Sequence, residues 1–268
     1  MLQSLQENNV KIANETMTYV AFGKGEQPLI VLPGLSDGLK TVHGQSLNLA
    51  FYFRKLIPHF RVYVFSRKNN LKAPYSIKEM AKDQALALQQ LGLSDVYLMG
   101  ISQGRMIAQQ LAIDYPESVA KLIIGVSTSK VTPTMEKTIR HWIKLAEEKN
   151  YQLLMKDTME KTYSLKTLRR YRPFFPIITR IGKPESFKRF LIQAQACLSH
   201  DVSDQLNRIE YPTLVIGGDS DKVVGEATSE EIAASIPSSK LIIYPGFGHA
   251  AYEEEKRFFP DVVNFLKK

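Results

Sequence analysis

The sequence predicts an α/β protein with a mostly parallel central sheet, helices on both faces and an inserted all-helical cap. Three observations predict it. Apolar runs alternate with amphipathic helical stretches as far as Val126, and again from Thr213. Between about residues 130 and 210 only helical periodicity is present. Several of the runs are continuously apolar, as strands buried on both faces require. The expected division is residues 1–129 and 211–268 for the core and 130–210 for the cap.

Taken in order, Met17 to Phe22 reads as a strand ended by Gly23-Lys24-Gly25, and Leu29 to Leu32 as a buried strand ended by Pro33-Gly34. Leu47 to Leu56 is helical and Arg61 to Phe65 is a strand. Ser76 followed by Glu79 is a capping-box pattern, opening a helix that Gly92 stops. Val96 to Met99 is a strand, Gln103 to Ile113 a helix and Lys121 to Val126 a strand. In the insertion, Thr132-Pro133 sets a cap before Pro at the first helical position, with Met135, Ile139, Trp142, Ile143 and Ala146 at helical spacing. Pro184 is expected to open another helix, with Phe187, Phe190, Leu191, Ala194 and Leu198 on one face. Strand Thr213 to Ile216, helix Ser229 to Ser235, strand Leu241 to Tyr244 and a last helix from Glu253 to Leu266 complete the chain.

Composition narrows the function. At 268 residues the chain suits one large domain or a domain with an insertion. The single cysteine, Cys197, excludes an internal disulfide framework and a Cys-cluster zinc site. No apolar run approaches the roughly 18 residues of a spanning helix. The stretch Met1 to Asn14 is polar and lacks the apolar core of a secretory signal, so a cytoplasmic location is expected. Of the net charge of +8, residues 130–210 hold +7, from 16 basic against 9 acidic residues. That surface is either an ordinary solvated helical face or an attractor for acidic substrates or anionic lipid. Nucleic acid is not expected, because no finger spacing, RNA-binding signature or Gly-rich arm is present.

The chemistry centres on Gly100-Ile101-Ser102-Gln103-Gly104, a G-x-S-x-G sequence with a strand running into it and a helix running out. Small residues on either side let strand and helix approach while Ser102 is held in a sharp turn at the sheet's C-terminal edge. Serine needs a base to take its proton. Of the five histidines, His249 follows the last strand in the Gly-rich loop Pro245-Gly246-Phe247-Gly248, whereas His43, His59, His141 and His200 lie near other elements. The base needs a carboxylate to fix its tautomer. Gly217-Gly218-Asp219-Ser220-Asp221 follows another strand, with Asp221 preferred and Asp219 the runner-up; Ser127-Thr128-Ser129 offers no acid. A calcium loop over Asp219, Asp221 and Glu230 fails, because Val223 and Val224 stand where a ligand and a glycine are required. For a developing oxyanion, the amides of Leu35 and Gln103 are the expected donors, each worth about 3 kcal/mol in the transition state.

With Leu32-Pro33-Gly34-Leu35, the Gly100–Gly104 elbow, Gly218-Asp219-Ser220-Asp221 and Gly248-His249, nearly the whole chain resembles the α/β-hydrolase fold family, in its capped esterase and peptidase-like branch. The resemblance implies Ser102 as nucleophile, His249 as general base and acid, Asp221 as its orienting partner, and a cap over 130–210. It implies no metal and no organic cofactor. Two features depart from the family pattern. Pro33-Gly34 stands where His-Gly is common, and Arg105 stands where a small residue is usual. Arg105 is expected to point to solvent, or else into the pocket to select anionic substrates, and Arg105→Gly to retain or raise activity.

The expected function is hydrolysis of small carboxylic esters or related acyl compounds. The alternatives are a C–C bond, amide, thioester or lactone hydrolase on the same triad, or a ligand-binding or signalling protein on this fold. Epoxide hydrolase and dehalogenase chemistry is disfavoured, since those relatives have Asp in place of Ser102. A small-molecule acyl substrate is the expected partner, with no nucleic acid and no stable membrane insertion. Trp142, Tyr151, Met155, Tyr163, Phe174 and Phe175 are candidates for an acyl pocket or for plain packing. Arg169-Arg170-Tyr171-Arg172-Pro173-Phe174-Phe175 combines charge and aromatics in a way that suits an anionic membrane surface.

Overall fold

A computed structural model describes residues 5–126 and 128–268; Met1 to Ser4 of the N-terminal stretch, and Ser127, lie outside the described residues. The strands are β1 (Gln6–Ile12), β2 (Glu15–Phe22), β3 (Pro28–Leu32), β4 (Arg61–Lys68), β5 (Val96–Ile101), β6 (Val119–Gly125), β7 (Thr213–Gly218) and β8 (Ser239–Tyr244). They form one eight-stranded sheet in the order β1-β2-β4-β3-β5-β6-β7-β8. The pairs β1–β2 and β2–β4 are antiparallel and all others are parallel.

Alternation along the strands explains the two cores. Leu29 and Val31 of β3 join one apolar cluster, and Ile30 and Leu32 join the other. The first cluster continues through Met99, Ile123 and Ile216 to Phe258 and Val262. The second continues through Leu98, Leu122 and Ile124 to Met106 and Leu111. Each fully buried aliphatic side chain adds about 1.5–3 kcal/mol before chain entropy is charged against it.

The helices before β6 are α1 (Ser46–Tyr52), α2 (Ile77–Gln90) and α3 (Gln103–Asp114). The Ser76–Glu79 capping box is present at the start of α2. Among the described residues between β6 and β7 lie α4 (Pro133–Glu147), α5 (Tyr151–Thr162), α6 (Leu165–Tyr171), α7 (Phe175–Ile178) and α8 (Lys188–Cys197), with short 3-10 turns and an isolated β-bridge between Lys130 and Asp201. Thr132 caps α4 through its hydroxyl, which accepts from the Met135 amide. After β7 come α9 (Thr228–Ser235), α10 (Ala251–Glu254) and α11 (Phe258–Leu266). Among the described residues no helix is long and apolar enough to cross a membrane.

Three local expectations differ from the structure. Strand β1 is an edge strand of mostly polar, exposed residues, so it carries no apolar run to announce it. The helix expected from Pro184 begins only at Lys188, whose amide donates to the Ser186 hydroxyl at 3.2 Å just ahead of the first turn. The last helix is two helices, broken where the Glu255 carboxylate accepts from the Arg257 amide at 2.9 Å in place of helical pairing.

Candidate active site

Four loops meet at the C-terminal edge of the sheet, outside β3, β5, β7 and β8, where the strand order reverses around β3 and β5. Ser102 follows β5 directly and caps α3 with φ 53° and ψ −122°, a strained conformation for a residue with a Cβ. Its neighbours make that turn possible. A Cβ on Gly104 would lie 1.9 Å from the Leu32 carbonyl oxygen, so only glycine fits between α3 and β3. A Cβ on Gly34 would lie 2.9 Å from the Ser102 Cβ, which puts the turn after β3 directly against the serine.

The His249 Nε2 lies 2.8 Å from Ser102 Oγ, and its Nδ1 lies 2.7 Å from Asp221 Oδ2. A carboxylate only accepts, so Nδ1 carries the proton and Nε2 accepts from the serine hydroxyl. Asp221 and His249 are buried, and Ser102 is half-buried. The other Asp221 oxygen accepts from the Val223 and Val224 amides at 2.8 and 3.0 Å. Burial alone would raise this carboxyl; the His249 ring and the two amides outweigh it and hold it below the usual carboxylate range. Asp219 is turned away, accepting from the Gly246 amide at 2.8 Å. Among the described residues no group of three or more His, Cys, Asp or Glu side chains is placed to hold a metal ion.

Leu35 opens the 3-10 turn Leu35–Gly38, and Gln103 opens α3. First-position amides have no partner inside their own helix, which leaves both available to an oxygen near Ser102. The other histidines stand apart. His43 Nδ1 lies 2.6 Å from Glu7, and His200 is buried with Nε2 3.4 Å from Gln109 Oε1. Trp142, Tyr151 and Phe175 are buried, whereas Phe174 is exposed. Trp142 Nε1 donates to Asp157 at 2.7 Å.

Arg105 is a correction. It is 1 % exposed, and its Nε donates to the Gly100 carbonyl at 2.9 Å. It neither points to solvent nor is free of structural work, so Arg105→Gly is not expected to be harmless. Every residue of α3 from Gln103 to Ile113 is buried, so this helix has no solvent-facing stripe for a cation. Burial pushes the guanidinium well below its ordinary pKa, and the nearby Asp221 opposes that shift.

A second polar cluster, which no local pattern announces, lies beside the turn after β3. Asp37 is fully enclosed and accepts from Arg189 Nη2 at 2.8 Å and from Gln193 Nε2 at 2.9 Å. Arg67, also buried, donates to the Pro33 carbonyl at 2.6 Å and to Gln103 Oε1 at 3.2 Å. Burial would raise the Asp37 carboxyl, but Arg189 and Arg67 hold it below the usual range. A cation just past the end of a buried run, at Arg67, was the one available signal.

The helices between β6 and β7 reach each of these loops. Arg189 and Gln193 of α8 hold Asp37. Thr132 donates to the carbonyl of Val224 at 2.6 Å, and the Val224 amide in turn donates to Asp221. The Ala250 amide, next to His249, donates to the Thr162 carbonyl at 2.9 Å. Glu254 accepts from the Ser164 amide and hydroxyl at 3.0 and 2.6 Å.

Comparison with known proteins gives a consistent likeness. The sequence profile of a family described as "alpha/beta hydrolase fold" matches residues 27–256. A 2-hydroxy-6-oxo-6-phenylhexa-2,4-dienoate hydrolase of Comamonas testosteroni is 30% identical over 189 residues, covering 66% of this chain and 65% of that protein. The chain thus spans a little under two thirds of that relative, and 64% of its counterpart from Burkholderia cepacia. The 3-oxoadipate enol-lactonase 2 of Acinetobacter baylyi is 23% identical over 264 residues, 94% of this chain and 93% of that one. Among solved structures, an enol-lactonase from Burkholderia xenovorans superposes with a TM-score of 0.81 at 18% identity, over 97% of this chain and 100% of that one. An alpha/beta hydrolase enzyme from a Medee basin deep-sea metagenome library gives a TM-score of 0.84 at 18% identity, over 97% and 98%.

Proposed function

The chain belongs to the α/β-hydrolase fold family, and from that premise we propose that it is a serine hydrolase that cleaves small carboxylic esters or related acyl compounds. The reading rests on one observation, the continuous hydrogen-bonded line Asp221–His249–Ser102 at 2.7 and 2.8 Å. In this reading residues 130–210 form a cap over the site, no cofactor takes part, and the protein works in the cytoplasm.

The Ser102 oxygen attacks the substrate carbonyl carbon while its proton passes to His249 Nε2. The negative charge that develops on the carbonyl oxygen is met by the Leu35 and Gln103 amides, each contributing about 3 kcal/mol. His249 then gives the proton to the leaving alcohol, and an acyl-enzyme remains. Water attacks the acyl carbon, its proton goes to His249, and Ser102 leaves with that proton restored. Asp221 keeps the Nδ1 proton in place and stabilises the imidazolium at each stage.

A second reading, cleavage of a C–C bond or a lactone on the same three residues, is favoured by the likeness to a dienoate hydrolase and an enol-lactonase. The test is turnover of p-nitrophenyl esters of graded chain length by wild type and Ser102→Ala, with a fluorophosphonate label read by intact mass. Stoichiometric labelling of wild type alone, and at least about a thousandfold loss of kcat in the variant, are expected. Ester turnover that survives Ser102→Ala would reject the assignment. Labelling without ester turnover would move the choice to the C–C and lactone substrates.

A further inference from the structure

The segment 163–183 holds six basic residues, Lys166, Arg169, Arg170, Arg172, Arg180 and Lys183, and no acidic one. It is pinned inward at a few points. Leu168, Phe175 and Thr179 are buried, and Tyr151 donates to the Ile181 carbonyl at 2.8 Å. Ile178 is half-buried, and four large aliphatic and phenyl side chains face outward: Leu165 is 60% exposed, Phe174 58%, Ile177 62% and Ile181 65%. Phe174 ends a 3-10 turn, Ile177 lies in the four-residue α7 and Ile181 in the turn after it, so three exposed apolar side chains fall within eight residues. Single exposed apolar residues need no explanation, but a run of them in one short segment does.

The charges point to the partner. Arg172 is engaged by Glu160, through Nε at 2.8 Å and Nη2 at 2.7 Å. The other five cations make no ion pair among the described residues. Lys166 adjoins Leu165, and Arg180 adjoins Ile181, so cation and apolar group alternate along the surface. Long Lys and Arg stems carry their charges outward while shorter apolar tips go deeper, which matches a layer with anionic head groups above acyl chains. An acidic protein surface would satisfy the cations and leave the isoleucines in water.

We propose that the outer surface of residues 163–183 docks peripherally on an anionic lipid surface, with Phe174, Ile177 and Ile181 entering the head-group boundary and Lys166, Arg169, Arg170, Arg180 and Lys183 meeting lipid phosphates. No helix is inserted across the bilayer. The proposal does not depend on the reaction at Ser102.

The test is co-sedimentation of the full chain with vesicles of phosphatidylcholine alone and of phosphatidylcholine with phosphatidylglycerol, at low salt and at a few hundred millimolar. Wild type should bind the anionic vesicles at least about tenfold more tightly, and salt should weaken that binding. Arg169→Glu/Arg170→Glu and Phe174→Ser/Ile177→Ser should each lose about tenfold or more. Lys78→Glu/Lys82→Glu, on the exposed side of α2, makes the same change in net charge and should lose less than about threefold. All these positions are exposed, and circular dichroism melting checks that each variant is folded. Equal binding to both vesicles would overturn the proposal, as would equal loss in the α2 control. Binding that ignores Phe174→Ser/Ile177→Ser, and that soluble polyglutamate or heparin competes away, would overturn it in favour of an acidic macromolecule.

Discussion

Arg189, on α8, reaches across to Asp37 beside the turn after β3, with Nη2 2.8 Å from Oδ2. The carboxylate is fully enclosed, and the guanidinium is mostly so. This ion pair ties the helical segment to the loop that carries Leu35. Removing one member of a buried pair strands the other charge and costs about 3–5 kcal/mol. Arg67 still faces the carboxylate, so Arg189→Met should lower unfolding stability by less than that, and Arg189→Met/Asp37→Asn should cost less than the sum of the two single variants. Urea unfolding of wild type, both single variants and the double variant measures this; strictly additive losses would show that the pair is not energetically coupled.

Asp221→Asn should keep the fold and lose about ten-thousandfold in kcat. The asparagine oxygen would retain the Val223 and Val224 amides, which turns its NH2 group toward His249 Nδ1. The ring must then carry its proton on Nε2, where it can no longer accept from Ser102. Initial rates on any ester that wild type turns over supply the comparison.

Gly104→Ala and Gly34→Ala should differ in kind. A methyl at residue 104 meets backbone oxygen at 1.9 Å, so that variant should be poorly folded. At residue 34 it meets the Ser102 Cβ at 2.9 Å, a contact relieved by a small shift of the turn. Gly34→Ala should fold and melt near wild type while losing about tenfold or more in kcat as the Leu35 amide moves. Melting curves beside kcat values separate the two.

His200 gives the stability a pH dependence. Burial lowers its pKa from 6.5 to about 4, against a smaller opposing pull from Asp201. The unfolded chain takes up this proton below about pH 6.5 and the folded chain does not until about pH 4. The contribution is therefore complete above pH 6.5 and is lost as pH falls toward 4, by about 3 kcal/mol in all. His200→Gln should flatten that part of the curve of unfolding free energy against pH. Identical slopes in both proteins between pH 7 and 4 would contradict it.

Much of the fold was legible because backbone sterics and burial write themselves into local sequence. The apolar runs at Leu29–Leu32 and Lys121–Val126 could only be buried strands, and Gly100 to Gly104 announced a turn too tight for side chains on both flanks. The edge strand β1 was silent because an exposed strand needs no apolar pattern. For the candidate site, the G-x-S-x-G turn pointed to Ser102, and strand-end position to His249 and the Asp219–Asp221 pair. Which aspartate faces the ring depends on the Val223 and Val224 amides, a matter of loop conformation that spacing does not encode. The inward course of Arg105 follows from neighbours packed on every side of α3, and those come from distant parts of the chain. Arg189 joins Asp37 and Arg67 from more than a hundred positions away, beyond the reach of any local pattern.

The stitches from the helical segment to the loops of Asp37, Asp221 and His249 bear on how such a protein can be re-engineered. Grafting a relative's residues 130–210 onto this core would replace Thr132, Thr162, Ser164, Arg189 and Gln193 together, and each holds a loop of the core in register. A chimaera would need to retain Thr132, Ser164, Arg189 and Gln193, whereas any residue at position 162 supplies the backbone carbonyl that Ala250 uses.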